Sequence, residues 1–457
     1  MSVTRFTTTA YESADRLLFG ASRRPLTCGF DVLIGGGDVL PEVNFTLPGM
    51  HVREDTIDEV KAVYRDMVSS VLDRMSKLVA PGVVLEIEHP PQFTQITRLG
   101  AEITALAKQL MKDAYETKGL KSALRITPCD IRDIVRPPAM RSGEATATVL
   151  EAFRMSARAG ADLLSIESTG GKEVSDRALT EGNVPGLLLA LGVLAPRDMH
   201  FLWREIVDIC REEGAIPAGD TACAFGNTAM VLADQGFIPN VLAAVVRAMS
   251  AVRSLVAYEE GAVGPSKDCA YEGPVIKAIT GVPISMEGKS AACAHFSHVG
   301  NVASACCDLW SNESVQQVKL LSGFAPEVFA EILLYDCRFM NEATNAGVAA
   351  LFRDLAVRSD VSKSVHALVI TPESSFRIAE AIVHETGDFE RTRAAGLAGC
   401  GIIREGIQRF GLDLPDKELR WLDRIEDSLD EYSTEDRLLE EVVPEFEDVF
   451  LPAEYGL

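Results

Sequence analysis

Residues 161-ADLLSIES-168 form a short apolar run that ends in a charged side chain. A helical pattern over about 145–159 comes directly before this run, and another follows over about 197–213. A short apolar run bounded by polar residues predicts a buried strand, and strands that alternate with helices predict parallel βα units. We therefore predict a strand of a parallel sheet here, with Glu167 at its carboxyl end.

The same alternation extends through most of the chain. Strands are predicted at 83–89, 122–128, 161–168, 214–220, 253–261 and 283–289, and the segment around 28–37 is predicted as a seventh strand or a preceding hairpin. Most of these runs end in charged residues. Polar carboxyl ends on many strands are typical of a TIM (β/α)8 barrel, whereas an open doubly wound sheet concentrates its ligand contacts at one switch point.

After about residue 325 the strand pattern gives way to helical patterns only. We therefore predict an N-terminal segment packed on the barrel over residues 1–50, the catalytic TIM barrel over 51–325 and a C-terminal helical extension over 326–457. The apolar faces of such an extension favour an oligomer.

Charge and hydropathy exclude several classes of partner. The formal net charge of −23 repels phosphates, which argues against nucleic acids and anionic membrane surfaces. The first residues lack the apolar segment of a signal peptide, and no apolar run of roughly 18–20 residues is found that would span a bilayer. We expect a cytoplasmic protein.

Ten cysteines are present without a CxxC pair. A reducing cytosol disfavours disulfides, which leaves catalytic, metal-binding or core roles. The helical contexts of Cys210, Cys337 and Cys400 predict core positions. Cys306 and Cys307 are also predicted to be core residues of a buried helix, because adjacent residues on a helix point about 100° apart and rarely share a metal.

Three polar segments each follow a different predicted strand: 165-SIESTGGKE-173, 219-GDTACAFGN-227 and 264-GPSKDCAYEG-273. They contribute Glu167, Cys223 and Cys269, which the carboxyl ends of a barrel would bring together. Two thiolates and a carboxylate form a three-ligand set for catalytic zinc with one open position. The alternative is two ordinary loop cysteines and a solvated glutamate. Cys293 and His295 in 291-AACAHF-296 compete as ligands.

These segments, with 254-SLVAYEEGAVGPSKDCAYE-272, 276-IKAITGVP-283, 286-MEGK-289 and 306-CCDLWSNESV-315, resemble the methanol:corrinoid methyltransferases. The resemblance extends from the opening TAYESADRLLFG to the closing PAEYGL. It implies a TIM barrel that binds zinc through Glu167, Cys223 and Cys269. It also implies a separate corrinoid-carrying partner protein, and this chain has no D-x-H-x-x-G motif with which to bind cobalamin itself.

The implied reaction moves the methyl group of methanol to cobalt(I) of the corrinoid, while zinc acts as a Lewis acid on the methanol oxygen. The departing oxygen then needs a proton. Asp220, Glu259 and Glu260 are the candidate acids at predicted strand ends, and the choice among them stays open. Tyr258 and Asn227 are candidates for orienting groups.

The sequence departs from the family at Ala222 and Phe225, where we expect more polar neighbours of Cys223. If these side chains face the pocket, a larger or less polar donor such as a methoxylated aromatic is the alternative substrate. Two further hypotheses are a Mg²⁺-dependent barrel lyase or aldolase that uses the strand-end carboxylates, and a non-enzymatic corrinoid-chaperone subunit. The lyase needs no thiolates, and the chaperone predicts partner binding without zinc.

Overall fold

A computed structural model describes residues 4–45, 49–267, 269, 271–289, 292, 298–314, 319–320 and 323–457. The described chain opens with an antiparallel hairpin, Ala21–Cys28 (β1) and Val32–Gly36 (β2). The barrel strands follow: Leu40–Phe45 (β3), Val83–Glu88 (β4), Ser122–Thr127 (β5), Leu163–Ile166 (β6), Ile216–Asp220 (β7), Ser285–Glu287 (β8) and Leu309–Ser314 (β9). A short hairpin, Lys319–Leu320 (β10) and Gly323–Phe324 (β11), lies after them.

The seven barrel strands pair in the order β7-β6-β5-β4-β3-β9-β8, and every pairing is parallel. Residues 263–266 connect the two edges of this sheet. The N–H groups of Val263 and Gly264 donate to β7 at Pro217 O and Ala218 O, at 2.9 and 2.8 Å. On the other side Ser266 pairs in parallel with Ile284, directly before β8. These residues take the place of the eighth strand, so the predicted TIM barrel is confirmed.

Helices alternate with the barrel strands as predicted, since each amphipathic helix buries its apolar face against the sheet. Between β3 and β9 the helices are Ile57–Lys77 (α1), Pro91–Gln95 (α2), Thr97–Lys118 (α3), Gly143–Arg158 (α4), Lys172–Glu181 (α5), Val184–Leu189 (α6), Ala195–Glu213 (α7), Cys223–Asp234 (α8), Asn240–Glu260 (α9) and Gly273–Thr280 (α10). The C-terminal helices are Ala325–Asn345 (α11), Ala349–Asp360 (α12), Val365–Val369 (α13), Pro372–Val383 (α14), Asp388–Phe410 (α15), Asp416–Glu431 (α16) and Glu435–Phe446 (α17).

The strand predicted at 253–261 is wrong, because these residues form the last turns of α9. This helix is apolar on nearly its whole circumference, so its short apolar windows resemble a strand. It is also long and apolar enough to cross a membrane by length and composition, which the search for apolar runs missed. That window is wholly buried, between the barrel and the C-terminal helix α15.

Both predicted domain boundaries divide the barrel. Strand β3 lies inside the segment 1–50, yet it pairs with β4 on one side and β9 on the other. Helix α11 begins at the boundary at 325, yet it packs on the barrel strands β3 and β9. The buried helix predicted to carry Cys306 and Cys307 is also wrong, because a 3-10 turn, Val302–Ala305, ends before them and β9 begins at Leu309.

The interior of the barrel is layered along its axis. The hairpin covers the amino-terminal end and forms a small apolar core with the strand residues Leu40, Val84, Ala123, Leu163, Ala218 and Leu309. Two residues further along the same strands, the next inward layer is polar. There the buried Arg125 guanidinium donates to Glu42 Oε1 at 2.8 Å and to Ser165 Oγ at 2.8 Å. Because side chains alternate along a strand, the next inward positions lie at the carboxyl end of the barrel.

Candidate metal centre

Glu167, Cys223 and Cys269 form one cluster at the carboxyl ends of the strands. Their ligand atoms all lie within 4.8 Å of one another. Cys269 Sγ lies 3.2 Å from Glu167 Oε1. The structure therefore brings together three residues that the sequence separates by more than a hundred positions.

The positions of these three residues directly after strands or strand-like segments explain why their side chains converge. Glu167 is the first residue after β6, Cys223 is the first residue of α8 after β7, and Cys269 follows the strand-like residues 263–266. These strand positions are consecutive around the barrel, so their carboxyl ends are neighbours. Cys293 and His295, the competing ligands, lie outside the described residues.

Lys267 is a buried cation between the cluster and the barrel interior. Its Nζ lies 2.5 Å from Glu88 Oε1, 3.2 Å from Glu86 Oε1 and 3.1 Å from Glu167 Oε1. It also lies 3.4 Å from Cys269 Sγ. The ammonium group compensates buried carboxylates that would otherwise repel one another, and it holds Glu167 in place.

The amide of Asn227 orients Cys223 from one helical turn away. Its Nδ2–H donates to Cys223 Sγ at 3.3 Å, while its Oδ1 is buried and has no hydrogen-bond partner among the described residues. A hydrogen bond with Cys269 acts to lower the pKa of the Cys223 thiol, but burial and nearby carboxylates raise that pKa to about 12. A bound cation would shift this balance towards the thiolate.

The chemistry of the cluster fits zinc. Zn²⁺ takes thiolate, imidazole and carboxylate ligands at about 2.0–2.3 Å, which places tetrahedral ligand atoms about 3.5 Å apart. The 3.2 Å between Cys269 Sγ and Glu167 Oε1 is close to that value, and all three ligand atoms lie within 4.8 Å of one another. Two thiolates disfavour Mg²⁺ and Ca²⁺, and three protein ligands leave one coordination position for a small molecule.

A cavity of about 630 Å³ opens above the cluster. Glu167, Cys223 and Asn227 lie in its wall, and Ala224, Val231 and Leu232 contribute an apolar side. Other wall residues carry acidic or basic groups or an imidazole: Glu88, His89, Asp130, Asp133 and Lys172. The site is therefore accessible from outside through a partly apolar entrance.

The two residues that suggested a larger methyl donor are not in the cavity wall. Ala222 and Phe225 are fully buried, and the Phe225 ring packs against the guanidinium of Arg253 at 5.3 Å. The helical phase of α8 explains this result, because Ala224 and Asn227 take the positions that face the cavity. The premise of the methoxylated-aromatic alternative is therefore wrong.

Asp220 ends β7 as predicted, but its carboxylate faces the helices. Its oxygens accept from Trp203 Nε1 at 2.8 Å, from Arg253 at 3.0 Å and from the backbone N–H of Ser168 at 3.3 Å. A register shift between β6 and β7, where Ser165 pairs with Gly219, causes this orientation. One extra residue in a strand reverses the side-chain alternation beyond it.

Glu259 and Glu260 end helix α9 on the outside of the barrel and do not line the cavity. Glu259 accepts from Arg5 at 2.7 Å and from Arg391 at 2.8 Å, while Glu260 lies 2.6 Å from His200 Nδ1. His200, Glu259 and Asp388 also lie close enough together to suggest a second metal group. The two arginines already neutralise these carboxylates, so the group is an ion-pair network.

Tyr258, a predicted orienting group, is buried on helix α9 and packs against Gly219, where an added Cβ would lie 2.3 Å from the tyrosine hydroxyl.

The predicted core cysteines agree with the structure, since Cys210, Cys306, Cys307, Cys337 and Cys400 are all buried. Sequence reasoning missed Lys267 and Glu272 as parts of the site. For Lys267, the available signal was its position two residues before the candidate ligand Cys269.

The fold and the cluster together define a class: a (β/α)8 barrel whose strand ends present two cysteines and one glutamate beneath an open cavity. A family model described as Methanol-cobalamin methyltransferase B subunit matches residues 3–456. The methanol--corrinoid protein co-methyltransferase of Methanosarcina barkeri is 38% identical over 467 aligned residues, which cover 100% of both chains. The chain belongs to the methanol-cobalamin methyltransferase B subunit family, and the predicted resemblance is confirmed.

A solved structure agrees with this assignment. The crystal structure of the methanol:cobalamin methyltransferase complex MtaBC from Methanosarcina barkeri contains a chain with 37% sequence identity and a TM-score of 0.94. The match covers 99% of this chain and 100% of that chain. The barrel and the C-terminal helices therefore occur together in that relative.

Proposed function

We propose that this protein transfers the methyl group of methanol to the cobalt of a corrinoid carried by a partner protein in the cytoplasm. Support comes from the family match over residues 3–456 together with the convergence of Glu167, Cys223 and Cys269 at the barrel mouth. In this proposal the C–O bond of methanol breaks, the methyl group passes to cobalt(I), and the oxygen takes up a proton and leaves as water.

The three residues of the cluster would hold zinc through one carboxylate oxygen and two sulfurs. When bound, zinc supplies Lewis-acid polarisation of the methanol oxygen. Asn227 has two tasks in this arrangement. Its Nδ2–H fixes Cys223, and its buried Oδ1, which lacks a partner among the described residues, accepts a hydrogen bond from the methanol hydroxyl. Ala224, Val231 and Leu232 exclude water from the methyl side.

We assign delivery of the proton to Glu88, which lies in the cavity wall. Asn44 Nδ2 donates to its Oε1 at 2.9 Å, and the Lys267 ammonium lies on the same oxygen. Burial raises the pKa of Glu88, although Lys267 acts in the opposite direction. A carboxyl group with a raised pKa is a better proton source near neutral pH than an ordinary surface carboxylate. Asp220, Glu259 and Glu260 do not reach this cavity.

The proposal is tested by the metal content and activity of wild type and Cys269→Ala. We expect about one zinc per wild-type chain and formation of methylcobalamin from methanol and cob(I)alamin, both lost in Cys269→Ala. Cys210→Ala is the matched control, because Cys210 is a buried helical cysteine distant in function from the cluster. Glu88→Gln should keep zinc and lose about 10²–10⁴-fold in kcat. A wild-type protein without zinc would contradict the proposal.

A further inference from the structure

His89 follows the last residue of β4 and lines the cavity above the cluster. Its backbone N–H donates to Thr127 O at 2.9 Å, which continues the sheet by one residue. The ring packs edge-on against Phe93, with centroids 5.4 Å apart. Gly100 provides the necessary space, since a Cβ there would lie 2.9 Å from His89 Cε1. The backbone and both neighbours therefore hold the imidazole in one position.

The imidazole is buried and has no hydrogen-bond partner within the part of the chain that the structure describes. His89 is only 4% exposed, and neither ring nitrogen has a partner among the described residues. Burial lowers the pKa of His89 to about 3, so the ring is neutral near pH 7. A neutral imidazole offers one N–H donor and one acceptor. Leaving a buried polar group unsatisfied is unfavourable, so such a group in a cavity wall is suited to a ligand.

Neighbouring polar groups of the same wall already have partners. Thr127 Oγ1 donates to Glu86 at 2.7 Å, and Glu88 is held by Asn44 and Lys267. Asp130 accepts from Arg132 and from the N–H of Thr169. His89 differs from these groups because, among the described residues, neither its donor nor its acceptor has a partner.

The size of the cavity indicates what the ligand is. Methanol has two heavy atoms, whereas the cavity measures about 630 Å³, so methanol at the cluster leaves most of the space for the methyl acceptor. The His89 nitrogens form no hydrogen bond with Glu167, Cys223 or Cys269. The periphery of a corrinoid ring carries primary amides, and a primary amide offers both a donor and an acceptor to a neutral imidazole.

We propose that His89 hydrogen-bonds a peripheral amide of the corrinoid and so orients the macrocycle over the cluster. This inference rests on the proposed function and adds a residue that recognises the methyl acceptor. His89 acts as a binding residue for the acceptor and takes no part in binding the metal.

The test compares wild type, His89→Leu and His89→Gln. Leucine keeps similar bulk without polar atoms, and glutamine restores both a donor and an acceptor. Equilibrium dialysis with cyanocobalamin, which carries the same amides, measures binding without turnover. Steady-state assays then give the KM for cob(I)alamin and, separately, the KM for methanol. Zinc content and the far-ultraviolet circular dichroism of each variant establish that the fold and the cluster are intact.

We expect His89→Leu to raise the cyanocobalamin Kd and the cob(I)alamin KM about 3–10-fold, the range of one lost hydrogen bond, with the methanol KM within twofold of wild type. His89→Gln should recover most of this loss. An increased methanol KM with unchanged cobalamin constants would overturn the inference, as would a His89→Leu protein with wild-type constants. If wild type fails to use methanol but binds cyanocobalamin through His89, the proposed function fails and this inference stands.

Discussion

Glu272 connects the two loops that carry the cysteines, although it lies outside the cluster. Its Oε1 accepts from the N–H of Ala222, the residue before Cys223, at 2.7 Å and from Ser254 Oγ at 2.8 Å. It also lies three residues after Cys269. Burial raises the pKa of Glu272, although these hydrogen bonds act to lower it. A single carboxyl group therefore sets the distance between the two sulfur-bearing loops.

Replacing Glu272 by alanine should weaken zinc binding about 10–100-fold, the usual effect of removing a group that supports metal ligands. The unfolding free energy should also fall by about 1–3 kcal/mol, because the buried Ala222 N–H loses its acceptor. Chelator competition measures the first effect and denaturant unfolding the second.

Glu272→Gln is the matched control, since its amide oxygen can still accept from Ala222. It should stay close to wild type in zinc affinity. Equal zinc affinity in Glu272→Ala and wild type would show that the loops hold their separation without this bridge.

At the scale of elements, the C-terminal 3-10 turn Pro452–Tyr455 holds the loop that follows Glu167. The Tyr455 hydroxyl accepts from the N–H of Gly171 at 2.9 Å and donates to Glu173 Oε1 at 2.7 Å. Both hydrogen bonds lie at the start of α5, where Gly171 has a φ of +83° that a residue with a side chain rarely adopts. The closing residues of the chain thus support the first ligand loop.

Tyr455→Phe should lower the unfolding free energy by about 1–3 kcal/mol, because the Gly171 N–H loses its acceptor and Glu173 loses its donor in a buried setting. Burial raises the pKa of Glu173 to about 7, so that carboxyl group depends strongly on its surroundings. Denaturant unfolding at pH 7 measures the change. The control is Tyr335→Phe, whose ring is 55% exposed, and an equal loss in both variants would contradict the expectation.

At the scale of the whole molecule, one ion-pair network joins three parts of the chain. Arg5 of the N-terminal segment contacts Asp388 of α15 and Glu259 of α9, and His200 of α7 lies 3.1 Å from Asp388 Oδ2. Arg391 and Arg204 add positive charge beside Glu259 and Glu260. The network therefore attaches the N-terminal segment and the C-terminal helix α15 to the barrel helices α7 and α9.

This network should make stability depend on pH. Burial acts to lower the pKa of His200, but hydrogen bonds and charges from Asp388 and Glu260 raise it above its usual value. A raised histidine pKa contributes stability that is complete below about pH 6.5 and is lost as pH rises through the folded value. For Asp388, burial acts to raise the pKa but His200 and Arg5 hold it lower, so its contribution is lost only in acid, below about pH 4.

Wild type should therefore exceed His200→Gln in stability most strongly between about pH 4 and 6.5, with the difference shrinking by about pH 9. Denaturant unfolding of both proteins across this range measures the difference. The control is His384→Gln, whose side chain is exposed at the end of α14. A constant difference between wild type and His200→Gln at all pH values would show that His200 does not titrate in the network.

The pattern of apolar runs and helical segments predicted the alternation of helices and strands and the barrel, and it placed Glu167, Cys223 and Cys269 at the barrel mouth, whereas the family resemblance supplied their prediction as a ligand set. For Glu167 and Cys223 the prediction succeeded because each residue follows a strand, and the carboxyl ends of parallel strands must meet at one face. Cys269 joins them for a different reason, because residues 263–266, and not the helical residues 253–261, take the strand position before it. The helix α9 was misassigned at its end because a buried helix and a buried strand are both apolar throughout, and only packing on both sides distinguishes them.

Tertiary structure alone decided which groups the site contains beyond those three. The register shift before Asp220 is a property of the pairing between β6 and β7, so no local signal predicts that this carboxylate faces outward. Lys267, Glu272 and His89 acquire their roles from partners, or from the lack of a partner, far away in sequence. Sequence periodicity reports which face of an element is buried, whereas hydrogen-bond satisfaction inside a barrel depends on contacts between elements that only folding brings together.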